Sequence, residues 1–491
     1  MVGLKKAIAL ILSLAFLFLL TACKASYQDA VIYYEIPEKP RTLDPQIAST
    51  DAELSLVRNL FEGLLRKNQS NAIVCGVADS FEYHDLTYTF RIREDAVWSD
   101  KKPVTANDFV FAFRRSVDPA TKAPFGFRLK NMVNAESILQ GKMGVKKLGV
   151  SAKDDKTLVI RMAREDENFK NTLTTSVSMP CREDFFATCE GQYGLETERL
   201  LFNGSYRLAK WSKDPFDIRL YKNGEYNGSL EAKNSAVFVT RNDKKSTFDR
   251  LSDNNVDIAF VDSSLAPQLE KKGLKTAAFE DVCWVLTLSP DFSPQFRKAF
   301  AASTGDGVYG KSLPAGCRAA TSLYPPEILK ESPSDGMTAY DLAKAQEAFG
   351  IAIEQLADKK FPSGVKLTYY DNAAFKSVVT DIVGHWQNQL GAFVNIEATT
   401  DNLAGQLQKQ TLSMSIFPYK VSCNEISEYL RGFGIYGQKD PVSAQVSILE
   451  GQNVIPIAFQ NTTISYAPTL GDLFVEPQNG YIDFAYIVKV E

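Results

Sequence analysis

Histidine is almost missing from this chain: His84 and His385 are the two imidazoles in 491 residues. That scarcity argues against histidine-rich metal sites and against most histidine-based proton relays. A surplus of positive charge is missing too. Lys and Arg number 55 against 59 Asp and Glu, a formal charge of −4, without the basic clusters that displace counterions from nucleic acid. No GxSxG elbow, HExxH pair or Walker loop occurs. Gly432, Gly434 and Gly437 match the GxGxxG spacing formally, but they follow a helix-like segment and not a buried strand, so they open no dinucleotide fold. Neither catalysis nor a metal or cofactor is expected. What remains is ordinary for folded protein, 45% hydrophobic and 23% charged, with length for about two to four domains.

The N-terminus has its own chemistry. Lys5 and Lys6 precede an uncharged apolar run from Ala7 to Leu20, short for a spanning helix and suited to an export signal. The run closes in Leu20-Thr21-Ala22-Cys23, which resembles the bacterial lipobox: small residues fit the signal peptidase, and the Cys23 thiolate takes the lipid. Residues 1–22 are therefore expected to be a lipoprotein signal peptide and Cys23 the lipidated new N-terminus, outside the cytoplasmic membrane, at the cell surface or in a periplasm. Cleavage there removes Lys5 and Lys6 and no acid, taking the formal charge from −4 to −6. No later hydrophobic run reaches spanning length. Six further cysteines, Cys75, Cys181, Cys189, Cys283, Cys317 and Cys423, are left open between buried thiols and one or two bridges. None forms a CxxC.

Strand and helix patterns alternate without strict βαβ order, which points to mixed α/β domains. Val31–Tyr34 reads as a strand, and Asp51 to Arg66 has apolar residues spaced for one helix face. Leu86 to Arg93 alternates as a half-buried strand. Thr105 is placed to cap a helix with Asp108 in its first turn. Short strands are expected at Tyr206–Leu208, Ile218–Leu220 and Val237–Val239. Amphipathic helices are expected at Ala339–Leu356 and Phe375–Leu390, and a closing strand at Phe484–Val490.

The stretch from Tyr88 to Phe109, with Trp98, Asp100, Pro103, Thr105 and Asp108, resembles the signature of extracellular solute-binding proteins of family 5. Thr42-Leu43-Asp44-Pro45 with Asn59-Leu60-Phe61-Glu62-Gly63-Leu64 resembles that family's first motif, and Asn203–Leu208 with Trp211, Lys222, Asn223 and Tyr226 continues the likeness. The resemblance implies an α/β, type II periplasmic-binding-protein-like two-lobe clamp with an additional inserted domain. Residues 23–61, 168–281 and 460–491 would form lobe I, 62–167 the inserted domain II, and 282–459 lobe III. Trp98 and Pro103 are expected to pack the signature and turn it into the Thr105 helix. Lys101 stands where the family usually has Gly, so its turn must avoid a positive φ or carry strain.

The resemblance also implies a function: a monomeric, membrane-anchored protein that captures peptides or peptide-like solutes and delivers them to the permease subunits of an ABC importer. In oligopeptide-binding members a third-domain carboxylate holds the ligand's α-amino group. It lies just before an acidic segment that corresponds here to Glu425–Leu430. That register puts Ser422 at the carboxylate position and Tyr419 at the preceding aromatic. A hydroxyl in place of a carboxylate gives up about 1–3 kcal/mol toward an ammonium. Glu425 or another carboxylate supplies the charge, or the ligand has no free amine; Lys420 beside Val421 and Ser422 would suit an acidic ligand. In the first lobe, Ser49, Thr50 and Asp51 match the segment running beside the ligand, and Asn203 is a second candidate. Asp51 has a parallel role as helix N-cap, and Asn203 as turn former. The competing function is a surface lipoprotein for signalling or adhesion on the same fold.

Overall fold

The computed structural model describes residues 30–213, 216–240, 245–325, 339–400, 414–420, 445–446, 449–471, 473, 475 and 481–490. Among these, one mixed sheet joins the strands Asn395–Thr399, Lys366–Tyr370, Met414–Lys420, Lys275–Leu288, Val454–Tyr466, Ile258–Val261, Val31–Glu35, Ser235–Val239, Phe216–Lys222 and Tyr206–Lys213, in that order. Cys317–Ala319 attaches beside Val454–Tyr466. Period-two alternation explains the member strands: in Val31–Glu35, Ile32 and Tyr34 are buried while Tyr33 is exposed.

Two strands carry the architecture. The first crossing strand, Lys275–Leu288, and the second, Val454–Tyr466, have 14 and 13 residues and pair antiparallel from Lys275↔Tyr466 to Thr287↔Val454. At one end Phe279 and Ile464 pack into a core with Ile32, Tyr34, Leu56 and Ile258. At the other, Trp284, Leu286, Ile457 and Ala458 belong to a second core with Phe296, Phe300, Phe349 and Trp386. Two hydrophobic cores are thus threaded by one two-stranded ribbon.

A separate antiparallel sheet runs Ala78–His84, Thr87–Ile92, Thr157–Arg161, Val150–Asp154. Tyr88, Phe90 and Ile92 alternate inward as expected and feed the first core. The signature that follows is structural. Trp98 is fully buried, and its Nε1–H donates to Asp108 Oδ2 at 3.0 Å, the same oxygen that accepts the Thr105 N–H at 2.9 Å. The helix Ala106–Val117 starts there. Lys101 does carry the strain, at φ +70°.

Elsewhere the structure departs from the pattern. The helix begun at Asp51 ends at Leu60, and Phe61 is extended. A distant segment takes the helix's last carbonyl: Gly204 N–H donates to Leu60 O at 2.9 Å, so close that a Cβ on Gly204 would lie 2.8 Å from the Leu60 and Phe61 backbone. The expected closing strand is replaced by a short 3₁₀ turn, Phe484–Tyr486. Side-chain amides there take the backbone groups a neighbouring strand would need. Asn59 accepts from Phe484 N–H at 2.9 Å and donates to Ile482 O at 3.0 Å, and Asn234 donates to Ile487 O at 2.6 Å. The two expected amphipathic helices pack in the second core as Leu342–Glu354 and Lys376–Leu390, slightly shorter than their periodicity suggests.

Candidate ligand site at the crossing strands

Ser49, Thr50 and Asp51 open the helix Asp51–Leu60, and Thr50, not Asp51, is its N-cap. The reason is Glu53 at the third helical position, which completes a capping box. Thr50 Oγ1 accepts from Glu53 N–H at 3.3 Å. The Glu53 carboxylate accepts backbone N–H groups from Ser49 at 2.8 Å, Arg41 at 2.9 Å and Thr50 at 3.1 Å. Burial alone would raise the Glu53 carboxyl, but these three N–H groups and the nearby Arg41 hold it below its ordinary value. Asp51 is freed from capping and sits half-buried in the first turn, where its charge acts on the buried Tyr34 hydroxyl. The loop is therefore fixed from beneath, with Ser49 and Asp51 partly open to solvent.

Asn203 behaves differently. It is buried, its Oδ1 accepts from Glu62 N–H at 3.2 Å, and its Nδ2–H donates to Glu62 O at 2.8 Å. Both edges of the amide are used on the backbone of one residue, so Asn203 acts as a clasp on Glu62. The clasped Glu62 is itself a hub. Its carboxylate accepts from Tyr226 Oη–H at 2.8 Å and Arg93 at 3.2 Å, with Arg66 at 3.6 Å. Burial raises the Glu62 carboxyl despite these partners.

On the other side of the ribbon, Tyr419 and Lys420 end the strand Met414–Lys420, opposite Cys283 and Val282 of the first crossing strand. Val421, Ser422 and Glu425 lie outside the described residues, as do Cys23, Cys423 and Gly432, Gly434 and Gly437. The placed candidates thus lie on two different elements: Ser49–Asp51 open a helix whose Leu54, Leu56 and Val57 pack in the first core, and Tyr419 and Lys420 end a strand whose Met414 and Ile416 pack in the second.

The ribbon between them holds polar residues that sequence patterning missed. Asp281, buried at an irregularity between Glu280 and Val282, accepts from Thr462 Oγ1–H at 2.5 Å. Trp284 Nε1–H donates to Gln460 Oε1 at 2.7 Å, and its ring stacks on Phe375 at 3.8 Å. Arg318 makes a two-pronged pair with Glu280, at 2.5 and 2.6 Å, over the Phe459 ring. The signal was present in the run Phe279-Glu280-Asp281-Val282-Cys283-Trp284, where two acids interrupt an apolar strand.

Among the described residues the five cysteines are free thiols, and no group of three His, Cys, Asp or Glu side chains could hold a metal ion. His84 is exposed beside Asp85 at 3.0 Å, at the end of its strand, and His385 meets Tyr340 Oη at 3.2 Å. No helix among the described residues is long and apolar enough to cross a membrane.

Two cores joined by paired crossing strands, with a smaller sheet built onto the first, define a two-lobe clamp of the binding-protein type. Solved structures share it: Listeria monocytogenes OppA bound to peptide superimposes with a TM-score of 0.75 at 19% identity, covering 94% of this chain and 99% of that one. The model of bacterial extracellular solute-binding proteins, family 5, matches residues 72–438, and the chain belongs to that family. Among curated relatives, the probable deoxycholate-binding periplasmic protein YgiS of Escherichia coli is 26% identical over 379 residues, 74% of this chain and 70% of its own. The periplasmic murein peptide-binding protein MppA of the same organism is 37% identical over 177 residues, about a third of each chain.

Proposed function

We propose that this chain is a membrane-anchored, extracytoplasmic receptor that closes its two lobes on a peptide or peptide-like solute and presents it to the permease of an ABC importer. The observation that carries this is family membership joined to a two-core clamp threaded by paired crossing strands. In this reading residues 1–22 are a signal peptide, Cys23 bears the lipid, and domain II is the 62–167 insertion carrying the signature. Ser49, Thr50 and Asp51 line one wall; Tyr419, Lys420, Val421, Ser422 and Glu425 line the other. The protein binds without chemistry. Peptide-binding names among its relatives support the ligand class.

A second reading keeps the fold and changes the ligand to a solute without a free amine. Ser422 at the expected carboxylate position favours it, and so does a relative named for deoxycholate, an acid without an amine. Native mass spectrometry of the soluble form lacking residues 1–23 separates the two. Co-purified heterogeneous peptide masses support the first, whereas a ligand-free protein with no thermal shift toward a peptide library overturns it. Ser422→Asp should tighten binding of amine-bearing peptides about tenfold, the equivalent of one charge-assisted bond. Unchanged affinity removes Ser422 from the anchor position.

A further inference from the structure

Where the two crossing strands pass from one core to the other, the outer edge of the second is shared by two short strands that do not meet. Ile258–Val261 pairs with it down to Val261↔Thr463, and Cys317–Ala319 begins at Cys317↔Gln460. Asn461 and Thr462 lie between, level with the irregularity at Asp281 in the first crossing strand. A ladder interrupted on both sides at one level is a natural bending line. The short strands belong to different lobes: Ile258 and Phe260 pack in the first core, Cys317 and Ala319 against the second.

The gap is closed by a contact. Pro314 to Cys317 form a tight turn, with Cys317 N–H donating to Pro314 O at 3.0 Å and Gly316 at φ +76°. Gly316 O accepts from Asn461 N–H at 2.8 Å, which fixes the turn on the bending line. On the opposite side Ser263, just past Val261, is held by its hydroxyl, 2.8 Å from Thr463 Oγ1. A Cβ on Gly316 would stand 2.4 Å from both Cβ and Oγ of Ser263. Because Cβ cannot swing away by a rotamer change, any added atom must move backbone.

We infer that the abutment of Ser263 on Gly316 is a mechanical stop that sets the angle between the lobes. The glycine is required by the approach as well as by the turn, and the contact limits how far the ribbon bends toward this edge. Restoring ordinary contact distance after adding one carbon needs about 1 Å of displacement. Acting about one strand spacing, ~5 Å, from the ribbon, that turns one lobe by about 11°, or roughly 4 Å at a point about 20 Å out.

The test measures the interlobe distance in the full chain in detergent, by double electron–electron resonance between spin-labelled unnatural amino acids at Gln268 and Glu347. Both positions are exposed on helices, one in each lobe. Ser263→Leu adds bulk on the side with no special backbone requirement, and Gly316→Ala adds it on the other. Gly316→Ala should shift the mean distance by about 4 Å, from the lever arm above, and Ser263→Leu should shift it in the same direction. The double variant Gly316→Ala, Ser263→Gly keeps the turn strain but removes the clash, and should return the distance to the starting value. Ser263→Gly alone should broaden the distribution. An unchanged distance in Ser263→Leu overturns the inference, as does a Gly316→Ala shift that persists in the double variant. If Ser263→Leu does not fold, the double variant and Ser263→Gly decide by the same criteria. The readout uses no ligand, so it is independent of which solute the cleft takes.

Discussion

Replacing Glu53 by Gln isolates the support beneath the Ser49–Asp51 loop. Glu53 is completely buried, and its carboxylate accepts three backbone N–H groups, two on one oxygen and one on the other. Gln keeps one acceptor oxygen and turns an NH₂ group toward N–H donors, so at least one charge-assisted bond is lost and one donor is left facing another. Hydrogen bonds to a charged group contribute about 1.5–3 kcal/mol each, and a stranded buried donor costs about 1–3 kcal/mol. We expect a loss of about 3 kcal/mol, or roughly 6 to 12 °C in the melting of a unit of this size. Hydrogen exchange across residues 41–60 should speed up by about 100-fold in the variant, while peptides from 342–390 stay unchanged. The pH dependence has a defined sign. Glu53 lies below its ordinary 4.5 in the folded protein, so its contribution is complete above that value and is lost as the pH falls through the lower folded value. The gap between native and Glu53→Gln proteins should therefore narrow on acidification below 4.5. A destabilisation under about 1 kcal/mol, or one that does not shrink with acid, would refute the reasoning.

Three further outcomes follow from the same geometry. Asp44 and Arg115 form a buried two-pronged pair, at 3.1 and 2.5 Å, and Asp44→Ala should cost about 3–5 kcal/mol in urea unfolding, while pairing it with Arg115→Met should recover most of that. Lys101→Gly relieves a positive φ at the loss of an exposed contact with Glu225, and should raise stability by about 1 kcal/mol, read as a higher melting temperature. Trp284→Ala removes a fully packed ring stacked on Phe375 and should cost about 3–5 kcal/mol, with calorimetry showing the loss in the second core's transition.

Local physics made much of the fold legible beforehand. The alternation at Tyr88, Phe90 and Ile92 marked a strand because every second side chain meets the core, and Thr105 with Asp108 marked a helix start because orphan N–H groups need acceptors within three residues. Thr50 was harder to single out. The capping box depends on which of two adjacent polar residues reaches Glu53, and Asp51 has the same chemistry one position later. Asn203 shows the opposite limit. An Asn before Gly fits a turn or a binding wall, and its clasp on the backbone of Glu62, far away in the chain, is visible only in the structure.

By itself the sequence determined the class. Period-two and helical spacing mark individual strands and helices, and the residues from Tyr88 to Phe109 carry the family resemblance that implies a two-lobe binding fold, because these properties are local. Tertiary structure alone decided where the helix from Asp51 stops, why Phe484–Val490 is no strand, and which glycine is forced by contact. Each of those depends on a group more than 50 residues away: Gly204 on Leu60, Asn59 and Asn234 on the C-terminal segment, Ser263 on Gly316. Hydrogen bonds and excluded volume act through space, so no window of neighbouring residues contains them.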